Sequence, residues 1–72
     1  MFVIKFIYTV GGRHEEYYLG GSYKYDKGRY ACVGERDMAK TYKSIKAATS
    51  TINKFSEETL INYPEQFEVE EI

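Results

Sequence analysis

The sequence predicts an α+β fold: a small antiparallel sheet in the order β-β-β-short-α-β, with one main helix packed on one face. Three observations predict it. The opening residues alternate, placing Phe2, Ile4, Phe6, Tyr8 and Val10 on one side of a strand and Val3, Lys5, Ile7 and Thr9 on the other. Glycine pairs and an Asp-Lys-Gly step punctuate the strand-like runs that follow. Helical spacing begins only after Ser44.

Each element follows from its residues. The first strand ends at Gly11-Gly12, which with Arg13 and His14 reads as a hairpin turn. Glu15 to Leu19 returns as the second strand. Gly20-Gly21 interrupts it as a bulge or a bend, and Ser22 to Tyr25 resumes the alternation. Asp26-Lys27-Gly28 reads as a three-residue hairpin turn with Gly28 in the left-handed position. Arg29 to Val33 forms the third strand, ended by Gly34. Residues 35–39 suit one helical turn, and Lys40 to Lys43 a short extended piece with Tyr42 turned inward. Ser44 is placed to cap a helix in which Ile45, Ala48, Ile52 and Phe55 share one stripe. That helix ends near Ser56 or runs on towards Leu60, and Pro64 stops it by Asn62 or Tyr63. Gln66 to Ile72 alternates again, with Phe67 and Val69 opposite Glu68 and Glu70. It closes the sheet beside the first strand or at an edge.

At 72 residues the chain makes a single compact domain, 1–72, near the lower limit for folding on one core. Eight tyrosines and no tryptophan suit half-buried strand positions, where a ring packs and its hydroxyl meets water or a partner. The lone Cys32 excludes an internal disulfide and a multi-cysteine zinc site. The opening apolar run is short, broken by Lys5, and has no basic leader, so it is not a targeting segment. No stretch is long enough to span a membrane. A cytoplasmic protein without membrane contact is expected. Charge is uneven along the chain. Residues 36–54 hold Arg36, Lys40, Lys43, Lys46 and Lys54 against Asp37, whereas residues 55–72 hold six glutamates and no base.

No catalytic, metal or cofactor pattern emerges. The glycine pairs lack the strand–helix setting and the Gly-Lys-Ser/Thr of a phosphate loop. His14 is the only histidine, and adjacent strand residues diverge, so it and Glu15 do not converge. Cys32 between Ala31 and Val33 reads as a small packed residue. The C-terminal carboxylates line a solvent-facing strand with no apolar pocket to raise a pKa. The chain is expected to be no enzyme and to need no cofactor.

The tyrosines are the candidate site. Tyr17, Tyr18, Tyr23, Tyr25 and Tyr30 come from adjacent strands, with Lys24, Lys27 and Arg29 interleaved. Rings beside cations on an open sheet suit single-stranded nucleic acid, and the same mixture marks protein interfaces. Cross-strand pairing that merely stabilises a thin sheet is the structural alternative. Near-neutral charge and the acidic end favour a protein partner, because phosphate neutralisation supplies most nucleic-acid affinity. Binding is assigned to Tyr17, Tyr23, Tyr25 and Tyr30, with Arg29 at the rim. A homodimer is a further outcome, because one helix cannot also cover Val3 and Ile7.

Some motifs look familiar together. Phe2-Val3-Ile4-Lys5 opens the chain, and Tyr17-Tyr18-Leu19-Gly20 follows. Ala39, Tyr42, Ser44 and Ala47-Ala48 give an A-x-x-aromatic-x-S-x-x-A-A step, and Phe67-Glu68-Val69-Glu70-Glu71-Ile72 closes the chain. The set resembles small proteins encoded by phages and prophages of Gram-positive bacteria. It departs from them at Lys46-Ala47, where an acidic residue is common, and in the longer stretch before the last strand. The resemblance implies a compact α+β fold and a phage accessory role in the host cytoplasm. It transfers no functional residue. The function expected is that of a small interaction protein, inhibition of a host factor being one form; the alternative is a single-stranded nucleic-acid-binding module.

Overall fold

A computed structural model describes residues 1–26, 28–58 and 64–72, with the backbone alone at residue 25 and at residues 56–58. Strands β1 (Phe2–Tyr8), β2 (His14–Tyr25), β3 (Gly28–Gly34) and β4 (Gln66–Glu71) form one sheet in the order β3-β2-β1-β4. Every pairing is antiparallel. A 3-10 turn at Arg36–Met38 and helix α1 (Ile45–Glu58) lie between β3 and β4. This is the α+β fold the alternation predicts, and β1 takes a central place, as its two apolar faces require.

Turn chemistry sets the strand ends. The first hairpin closes through the Gly12 N–H, which donates to the Thr9 carbonyl at 3.2 Å. Gly11 and Gly12 take φ of 81° and 113°, which side chains resist. Val10 therefore leaves the strand and is exposed, contrary to its expected place beside Phe2 and Tyr8. The second hairpin also differs from expectation. Tyr25 pairs with Gly28, so Gly28 opens β3, and Asp26 takes the left-handed conformation at φ 55°. Aspartate tolerates that conformation because its short side chain bonds locally.

Gly20 and Gly21, at φ 93° and 83°, shift the register between Tyr18 and Ser22 without ending β2. The shift has a consequence across the sheet. Pairing of β2 with β1 stops at Tyr17 and Lys5. The extended segment 40–42 takes over: Lys40 N–H donates to the Tyr18 carbonyl at 2.9 Å. Phe2 and Tyr42 then exchange backbone bonds of 2.8 and 2.7 Å. Tyr42 is thereby carried into the core, as expected.

Ser44 caps α1, its Oγ accepting from the Ala47 N–H at 3.1 Å. Ala48 and Phe55 are buried against Ile4 and Phe6, with Ile52 half-buried beside them. Phe6 is the hub. Its ring meets Phe55 and Phe67 edge-on, with centroids at 5.4 and 5.0 Å, and lies parallel to Tyr18 at 6.3 Å. Ile45, expected on the buried stripe, is 57% exposed. Tyr42 is buried in the same core cluster, and Ile45 lies at its margin. The helix continues past Phe55 to Glu58, and its expected extension to Leu60 or Tyr63 falls outside the described residues.

Candidate interaction surface

Strand register builds the face opposite α1. Residues directly opposite one another share a face. Glu68, Lys5, Tyr17 and Gly34 form one row across all four strands, and Gln66, Ile7 and Glu15 form another. Lys5 is the centre of this face and only 8% exposed. Its ammonium lies 3.2 Å from Glu15, 3.6 Å from Glu68 and 3.5 Å from Glu70. Arg36 reaches over from the 3-10 turn, its Nε donating to Glu70 at 2.9 Å, and the Tyr17 hydroxyl donates to the same carboxylate at 3.0 Å.

These groups hold one another charged. Burial alone lowers the Lys5 pKa, but Glu15, Glu70, Tyr17 and Glu68 outweigh it and keep it above the ordinary lysine value. The Arg36 guanidinium holds the Glu70 carboxyl below the usual range, helped by Tyr17 and Lys5. The Lys5 hydrogen bond does the same for Glu15. Burial, then Glu70, raises the Tyr17 phenol, which stays protonated and donates.

The network alters one expectation. Val3 and Ile7 are fully buried, although among the described residues no helix lies over them. Lys5 stands between them on the same face, and Glu70, Glu15 and Gln66 oppose them in register, so the aliphatic stems of these side chains shield them while the charged ends meet each other. Sequence reading missed this centre. The signal was present: a lysine between Val3 and Ile7 on a central strand must find carboxylates on both neighbours, and Glu15, Glu68 and Glu70 fall there.

The tyrosines divide. Tyr18 faces the core, edge-on to Phe55 at 4.9 Å, and its hydroxyl accepts from Gly21 N–H at 2.9 Å. Tyr17 is half-buried and committed to Glu70. Tyr23 and Tyr30 pair across β2 and β3 and stack with centroids 5.5 Å apart and planes 19° from parallel. Tyr23 is 51% exposed. Tyr30 alternates with Ala31, a core residue, so the stack lies on the face away from α1. The side chain of Tyr25 lies outside the described residues. Arg29 is on the other face, with Ala31, and donates to Ser22 Oγ at 3.0 Å. Its register partner Lys24 shares that face. The hairpin therefore separates part of what the sequence interleaves: Tyr23 and Tyr30 on one face, Lys24 and Arg29 on the other with Tyr18, while Lys27 lies outside the described residues.

Among the described residues, no cluster of His, Cys, Asp and Glu is arranged to hold a metal ion. Among them no helix is long and apolar enough to cross a membrane. No family model matches the chain, and no curated protein or solved structure matches it.

Proposed function

We propose that this chain is a small non-enzymatic interaction protein that binds a protein partner through the Tyr23–Tyr30 face of the β2–β3 hairpin. The observation that carries this reading is the stack itself. Tyr23 offers half its surface to solvent, ordered by Tyr30 beneath it, and tyrosine anchors of this kind concentrate binding energy at protein interfaces. Lys24 and Arg29 lie on the opposite face, and the cations described on this face, Lys5 and Arg36, are paired with carboxylates rather than free to hold a phosphate beside a stacked base. The carboxylates of Glu15, Glu68 and Glu70 share it and oppose a polyanion. The phage-like motifs support an accessory role in a bacterial host cytoplasm, inhibition of a host factor being one form.

The test is capture from nuclease-treated lysate of a Gram-positive host, with wild type and Tyr23→Ala/Tyr30→Ala as baits. A specific partner should be held by wild type and lost from the variant, while circular dichroism reports both folded. A folded variant that retains its partner would make the stack purely structural.

A further inference from the structure

We draw no further inference here: the strongest candidate, the outer edge of β3 at the end of the sheet beside the Tyr23–Tyr30 stack, carries nothing, because nothing in the structure shows what covers it.

Discussion

The Tyr42 hydroxyl is buried with no hydrogen-bond partner among the described residues. Burial raises its pKa, and Thr51 nearby pulls the other way. Thr51 Oγ1 donates to the Ala47 carbonyl at 3.3 Å and makes no hydrogen bond with the Tyr42 hydroxyl. A buried phenol without a partner loses its bonds to water and gains little in return. The ring is what the position needs, since it fills the core beneath α1 and anchors the bridge to Phe2. Tyr42→Phe should therefore leave stability unchanged or raise it by up to about 1 kcal/mol in urea denaturation. A loss of more than about 1 kcal/mol would show that the hydroxyl is bonded in solution.

At the scale of the element, α1 is held by packing more than by its own propensity. Thr49, Ser50 and Thr51 are weak helix formers, and a helix this short is marginal in isolation. Among its described side chains the buried anchors are Ala48 and Phe55. Phe55 meets Phe6, Tyr18 and Phe67, so one side chain joins the helix to β1, β2 and β4. Phe55→Ala should cost roughly 3–5 kcal/mol, a large share of the stability of so small a domain. Ile52→Ala should cost less, roughly 1–3 kcal/mol, because its side chain is only half-buried. Ile45→Ser should stay within about 0.5 kcal/mol, since the residue is exposed. The check is this order in chemical denaturation; an Ile45→Ser loss equal to that of Phe55→Ala would contradict the packing described.

For the whole molecule, the Lys5 network is the device that lets one helix suffice. It joins β1, β2, β4 and the 3-10 turn over a sheet face that no second layer covers among the described residues. Its stabilisation depends on pH in both directions. Glu70, Glu15 and Glu65 have lowered folded pKa values, the last chiefly through the Thr9 hydroxyl. Their contribution is complete above the ordinary carboxylate value of about 4.3 and is lost as pH falls through the lower folded values. Lys5 is raised, so its contribution is complete below 10.5 and is lost as pH climbs through its folded value. Tyr17 and Tyr42, also raised, weaken the fold on the same alkaline side. The urea midpoint should be flat between about pH 5 and 9 and should drop on both sides. Glu70→Gln should lower the plateau and make the acid limb shallower. An acid limb as steep as that of wild type would remove Glu70 from the account.

The sequence by itself determined the order of elements, the cap at Ser44 and the inward turn of Tyr42, and left the central place of β1 to the pairing with β4. The first three depend on period, turn chemistry and local hydrogen bonds, all of which act between near neighbours in the chain. Tertiary structure decided the remainder. Only register could bring Glu15, Glu68 and Glu70 onto Lys5 and so bury Val3 and Ile7. Only the shift at Gly20-Gly21 could open the place that residues 40–42 occupy. The candidate site divides in the same way. Tyrosines and cations interleave along the chain, but a strand sends successive side chains to opposite faces. Cross-strand pairing then sets Tyr23 on Tyr30 and Lys24 beside Arg29. Which of them faces the core depends on where α1 packs, and that contact joins residues far apart in the chain.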